Sequence, residues 1–162
     1  MTPATLFQAA SCSKTANALL VLRLAADGAL DLDAPLNAQI RGWRLEGRHG
    51  DAATPAGLLS HTAGVGVPSF PGYASGVPLP DARAILGGTP PADTPMIRAT
   101  HRPGRFRYAG GGTVAAQLLV EEVGGAPWGD LLRNRILDPL GIADAASTPE
   151  PRGAVAHGHD PR

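Results

Sequence analysis

The segment FQAASCSKTANALLVLRLAADGALDLDAPL, from Phe7 to Leu36, determines how the rest of the chain is interpreted. Ser11 and Lys14 stand where its apolar run begins, and Gly28 follows it, where a glycine commonly ends a helix. The pattern predicts a helix from near Ser11 to about Ala26. Because positions i and i+3 share one helix face, the Ser11 hydroxyl and the Lys14 amine can meet.

This Ser-x-x-Lys spacing has two interpretations. In the first, Ser11 caps the helix and Lys14 is a solvated side chain of the first turn; so short a motif arises by chance roughly once in a chain or two of this size. In the second, Ser11 is a nucleophile and Lys14 is its base. The serine N–H would then lie at the positive end of the helix dipole, where a developing oxyanion is stabilised. Lys14 must also lose its proton, which requires burial or a nearby cation.

Composition excludes several classes of function. The chain has 162 residues, enough for one domain with a core, and its 14 basic and 14 acidic residues cancel. Nothing therefore favours nucleic acid or an anionic membrane as a partner. No apolar stretch is long enough for a transmembrane helix, and no signal peptide is recognisable, so cytoplasmic localisation is the default expectation. The single cysteine, Cys12, excludes an internal disulfide.

Glycine and proline, with 21 and 16 residues, predict a folded chain rich in loops. Further helices are expected after Pro35, after a Thr54 cap and before Gly64, and over 81–86, 112–123 and 127–137. No run of alternating β-branched or aromatic residues predicts a strand, and RFRY at 105–108 is the nearest candidate. The chain is predicted to be mostly helical.

Four blocks follow one another along the chain: TLFQAASCSKTANALLVLRLAADGALDLDAPL at 5–36, LLSHTAG at 58–64, PGRFRYAGGGTVAAQLLVEEVGG at 103–125 and ILDPLGIADAAST at 136–148. In this order they resemble the β-lactamase-related serine hydrolases, which include class C β-lactamases, esterases and D-amino-acid peptidases. The second block is similar to the family's Leu-Leu-x-His-Thr-Ser-Gly, with Ala63 in the serine position. The third resembles the segment carrying its Tyr-x-Asn motif, and the fourth its Pro-Leu-Gly-Met block.

The resemblance implies a set of site residues. Ser11 would be the acylated nucleophile, Lys14 its proton acceptor and Tyr108 the phenol that passes a proton to the leaving group. Gly110 occupies the substrate-binding position where the family usually has asparagine, so esters or D-amino-acid peptides are expected before β-lactams. The reaction would be a two-step acyl transfer on a small ester, peptide or lactam, with no metal or organic cofactor.

The resemblance also implies the fold class. The chain would be mostly α: the helical portion of the β-lactamase/penicillin-binding-protein-like α+β fold, with most of the central antiparallel sheet missing. Residues 1–148 would form a partial serine hydrolase domain, and residues 149–162 an irregular tail leading into the missing C-terminal part. The third family motif, Lys-Thr-Gly or His-x-Gly, is absent. A competing hypothesis is therefore a truncated, catalytically incompetent fragment that acts at most as a binding or interaction module.

The missing sheet also predicts an exposed apolar surface on the first helix, which would drive self-association.

Other candidate sites rank below the serine–lysine pair. GGGTVA at 110–115 fits a dinucleotide fingerprint, but no second strand follows it. Cys12 is expected to be inert packing, and His157 and His159 to be solvated in the tail. His61 is expected to order its loop by hydrogen bonding.

Overall fold

The computed structural model describes residue 2 and residues 5–74, 76–147 and 154–156. Six α-helices lie within this part of the chain: α1 Ser13–Ala26, α2 Leu36–Gln39, α3 Pro55–Leu59, α4 Ala82–Gly87, α5 Gly110–Gly124 and α6 Trp128–Leu132. Turns of 3-10 helix occupy Ala10–Cys12 and Gly50–Ala52, and α6 continues as a π-helical turn, Arg133–Leu137.

Helix α1 matches the helix predicted from Ser11 to Ala26. Its first turn is a 3-10 turn that contains Ser11, and the α-helix proper begins at Ser13. Gly28 has φ +72°, a left-handed conformation that ends the helix at little cost because glycine has no Cβ. The nucleophile candidate therefore lies at the N-terminal end of a long helix.

Helix α5 is the central element and packs against α1, α3, α4 and α6. Its opening glycines at 110–112 are buried. A Cβ at Gly111 would lie 2.8 Å from the Ile97 side chain and 2.9 Å from the carbonyl oxygen of Gly66. The glycines thus permit close packing, and because residues 105–108 form no strand, the dinucleotide-binding interpretation is wrong.

β-Pairing in the described residues is limited to isolated bridges, which join Leu6 with Val155, Glu46 with Arg98, and Val65 with Ala99. The prediction of a mostly helical chain is therefore confirmed. No helix in the described ranges is both long and apolar enough to cross a bilayer. Of the predicted tail, only 154–156 are described, and His157 and His159 lie outside the described residues.

The hydrophobic core lies between α5 and the elements around it. Its largest fully buried aliphatic side chains are Leu20, Leu36, Leu45, Leu86, Ile97 and Leu119. Helix α1 contributes Leu20 to this core but leaves Leu19 and Leu22 exposed, at 44% and 47%. The predicted exposure of an apolar surface on this helix is confirmed, and its role in self-association stays a prediction.

Candidate active site

Three of the predicted site residues meet at one oxygen atom. Ser11 Oγ accepts a hydrogen bond from Lys14 Nζ at 3.0 Å, one helical turn away. It accepts a second from Tyr108 Oη, also at 3.0 Å, although the two residues are 97 positions apart. A hydroxyl, an amine and a phenol therefore share one small, solvent-open cluster.

The packing of α5 against α1 brings these groups together. Tyr108 stands two residues before α5, so the position of this helix fixes where the phenol can lie. Asn17, which is only 3% exposed, links the two helices: its Nδ2 donates to the carbonyl oxygen of Thr113 at 3.1 Å. Its Oδ1 accepts from Trp128 Nε1 at 2.9 Å, which adds α6 to the same contact.

The electrostatics of the cluster favour ionisation of the phenol. Hydrogen bonding with Lys14, and then with Ser11, lowers the pKa of Tyr108 below its ordinary value of 10.0, and the charge of Lys14 adds to this while burial opposes it. Lys14 Nζ lies 5.1 Å from the centroid of the Tyr108 ring, close enough for a cation–π contact. The phenol can therefore lose its proton more readily than a free tyrosine.

His61 is a fourth member of the site, and sequence reasoning did not connect it with the phenol. Its ring centroid lies 4.7 Å from that of Tyr108 and 5.8 Å from that of Phe106. Its Nδ1 accepts a hydrogen bond from the backbone N–H of Ala109 at 3.2 Å. Burial, followed by the charge of Lys14, lowers the pKa of His61 from 6.5. The LLSHTAG block, which contains His61, is the sequence feature from which its place in the site could have been predicted.

Gly110 lies at the first position of α5 and is buried. Its N–H donates to the carbonyl oxygen of Pro68 at 2.9 Å. A Cβ at this position would lie 3.0 Å from the ring of Phe70 and 3.1 Å from that carbonyl oxygen. The place where the resemblance calls for an asparagine side chain is therefore partly filled by a loop, and no carboxamide is available there.

The remaining candidates do not join this cluster. Cys12 is exposed on the 3-10 turn, so the expectation that it packs inertly against apolar neighbours is wrong. Among the residues that the structure describes, no three His, Cys, Asp or Glu side chains gather closely enough to hold a metal ion. What the structure brings together is a serine hydroxyl in hydrogen-bond contact with an amine and a phenol.

Comparison with known proteins identifies a family and a curated relative that this chain resembles. The family model described as Beta-lactamase matches residues 1–162. Penicillin-binding protein 4 of Amycolatopsis lactamdurans is 29% identical over 155 residues, which are 93% of this chain and 38% of that protein. The chain therefore spans less than half of this curated relative.

Two solved structures show where the fold recurs. A beta-lactamase/D-alanine carboxypeptidase from Yersinia pestis superposes with a TM-score of 0.73 at 24% identity, over 92% of this chain and 42% of that one, which supports the fold alone. A D-amino acid amidase from Ochrobactrum anthropi SV3, complexed with D-phenylalanine, gives a TM-score of 0.67 at 27% identity, over 87% and 38%. These similarities agree with the helical portion of a β-lactamase-like fold.

Proposed function

The chain belongs to the Beta-lactamase family, and from that premise we propose that it carries the nucleophile and proton-transfer groups of a serine hydrolase that acts by acyl transfer. Ser11 is the nucleophile, and Lys14 and Tyr108 handle its proton. The observation that carries this proposal is the pair of hydrogen bonds, each 3.0 Å long, that converge on Ser11 Oγ.

The protonation states of Lys14 and Tyr108 explain how the cluster would accept the Ser11 proton. When Lys14 and Tyr108 are both protonated, each donates to Ser11 Oγ and neither can take its proton. Loss of one proton from this pair creates an acceptor beside the hydroxyl, and the lowered pKa of Tyr108 makes that state easier to reach. The lysine–tyrosine pair can then act as base and as acid in turn.

The reaction has two steps. In the first, the Ser11 proton passes to the lysine–tyrosine pair as Oγ bonds to the carbonyl carbon, and the pair gives that proton to the departing oxygen or nitrogen as its bond breaks. In the second, water attacks the acyl carbon and gives a proton to the pair. The bond between that carbon and Ser11 Oγ then breaks, and the pair returns a proton to Oγ. The N-terminal end of α1 favours the transient oxyanion through its dipole.

The preferred substrates in this proposal are esters and D-amino-acid peptides or amides. Gly110 offers no side-chain amide to orient a β-lactam, and its neighbour Phe70 occupies the adjoining space. An ester needs less proton assistance because an alkoxide is a far better leaving group than the anion of an amine, which must be protonated before it can depart. The similarity to an amidase that was solved with D-phenylalanine supports the D-amino-acid class.

A fluorophosphonate probe tests the nucleophile directly. We expect intact-protein mass spectrometry to find one covalent adduct on the folded chain, absent in Ser11→Ala and retained in Ser13→Ala, a matched control two residues along. Lys14→Ala and Tyr108→Phe should slow labelling by about 10²- to 10⁴-fold. No adduct on the folded chain at any probe concentration would refute the proposal and favour a piece that only binds; an adduct that survives Ser11→Ala would also refute it.

A further inference from the structure

His61 makes two backbone contacts that bracket Tyr108. The carbonyl oxygen of His61 accepts from the N–H of Arg107 at 2.8 Å, and its ring Nδ1 accepts from the N–H of Ala109 at 3.2 Å. One residue thus engages the backbone on both sides of the phenol. His61 itself has φ +57°, an uncommon conformation for a residue with a Cβ, which shows that the surrounding packing holds it in place.

The imidazole ring also contacts the side chains of this segment. Phe106 meets it edge-on at an interplanar angle of 86°, and Tyr108 lies against it at 40°. Residues 106 and 108 thus both pack against the ring of His61. These contacts restrict the torsion angles that aim the phenol at Ser11.

We propose that His61 is a positioning residue for Tyr108, acting as a neutral imidazole whose unprotonated Nδ1 holds the Ala109 N–H while its ring supports the phenol. This inference rests on the proposed function, because Tyr108 matters only as a proton-transfer group. The distance that His61 protects is the 3.0 Å between Tyr108 Oη and Ser11 Oγ. A displacement of about 1 Å would break this hydrogen bond.

The tautomer follows from the hydrogen bond. A nitrogen that accepts from an N–H carries no proton, so neutral His61 has its proton on Nε2. Protonation would place an N–H against the N–H of Ala109 and break the contact. The ionisable residues that line the two small cavities beside His61 are Lys14 from α1 and Arg107, and Tyr108 packs against the ring; no carboxylate that would stabilise an imidazolium is among these neighbours.

Two substitutions separate the acceptor from the ring. His61→Asn keeps an acceptor at the same number of bonds from Cα, and asparagine tolerates the left-handed backbone at this position. His61→Phe keeps an aromatic ring but removes the acceptor. The pair therefore asks whether the hydrogen bond to Ala109, and not merely a filled space, positions the phenol.

The readout is the ionisation of Tyr108 itself. The chain has two tyrosines, so a Tyr73→Phe background leaves Tyr108 as the only phenol, and its titration can be followed by ultraviolet difference absorbance. We expect His61→Phe to move the pKa of Tyr108 back toward that of a free phenol, and His61→Asn, which keeps the acceptor, to leave it closer to the parent value. An unchanged titration in folded His61→Phe, or equal titrations in both variants, would overturn the proposal.

Two further measurements test the role of His61 independently of the tyrosine titration. Nitrogen-15 NMR of the unsubstituted protein should show His61 in the Nε2–H tautomer at neutral pH. The His61 signal is assigned as the one that is lost in His61→Asn. A protonated Nδ1 overturns the proposal even if His61→Phe does not fold. Labelling by the fluorophosphonate should slow about 10- to 100-fold in His61→Phe and clearly less in His61→Asn. If the parent takes up no probe, the proposed function fails, while the tyrosine titration and the tautomer still decide the role of His61.

Discussion

Replacement of Asn17 by alanine tests whether α1, α5 and α6 are joined through one buried amide. The Asn17 side chain is 3% exposed and makes one hydrogen bond of 3.1 Å to Thr113 and one of 2.9 Å from Trp128. Alanine removes both contacts and leaves the indole N–H of a partly buried tryptophan without its acceptor. A cavity also remains where the amide was.

The expected loss of stability follows from these contacts. Two hydrogen bonds at about 1 kcal/mol each, and an unsatisfied indole N–H at about 1 kcal/mol or more, give roughly 2–4 kcal/mol for Asn17→Ala. That is a large share of the about 5–15 kcal/mol by which most domains are stable. Thr15→Ala, an exposed position on the same helix, should stay within about 0.5 kcal/mol of the parent.

Urea unfolding followed by far-ultraviolet circular dichroism measures both values. A double-mutant cycle with Trp128→Phe should give a coupling of about 1 kcal/mol, because the two side chains share a direct hydrogen bond. Because Asn17 lies one turn beyond Lys14, probe labelling of Ser11 should also slow. An Asn17→Ala protein as stable as Thr15→Ala, or a coupling near zero, would refute this account of how the helices are held.

Three further predictions address the backbone, the surface and pH. Gly64→Ala should lower the free energy of unfolding in urea by more than about 3 kcal/mol, since at φ +75° the new Cβ would lie 2.0 Å from a backbone carbonyl oxygen. Gly72→Ala, at φ +88° with open space around it, should lower it by only about 1–2 kcal/mol. Equal losses in the two variants would contradict this prediction. Replacing the exposed Leu19 and Leu22 with glutamine should shift size-exclusion elution toward the monomer, an expectation that fails if the parent already elutes as a monomer. Because the pKa of His61 is lowered from 6.5 in the folded protein, the unfolded chain takes up this proton first as the pH falls. The contribution of neutral His61 to the free energy of unfolding should therefore be fully present above about pH 6.5 and be lost as the pH drops through the folded pKa. His61→Asn should flatten this pH dependence.

Local features of the sequence predicted local structure well. The helix from Ser11 to Ala26 and its glycine stop could be predicted because spacing and termination are encoded within one segment. The sequence predicts that the helix after Thr54 stops at Gly64, but this helix ends at Leu59. The chain turns earlier because His61, and not a glycine, adopts the left-handed conformation, held there by contacts to a distant segment.

Contacts between distant segments could be predicted only in part. The resemblance implied that Tyr108 belongs with Ser11, but the spacing of 97 residues contains no information on their distance. The ring of Phe70 beside Gly110 was not foreseen, because nothing within its own loop indicates where that loop packs. The apolar neighbours of Cys12 in the sequence predict that it packs among them, yet on the 3-10 turn it is exposed.

The distance between Tyr108 and Ser11 is controlled from two sides. Asn17 joins α1 to α5 through Thr113, five residues after the phenol, and His61 binds the backbone on either side of Tyr108. The two supports act on different atoms of the chain, so loss of either leaves the other to limit the displacement. A solvent-open site assembled from segments so far apart needs such support, because the hydrogen bond at Ser11 Oγ is too weak by itself to order them. Lys14 reaches the Ser11 hydroxyl from the next turn of its own helix, so Asn17 and His61 act on the second contact, that of the Tyr108 phenol.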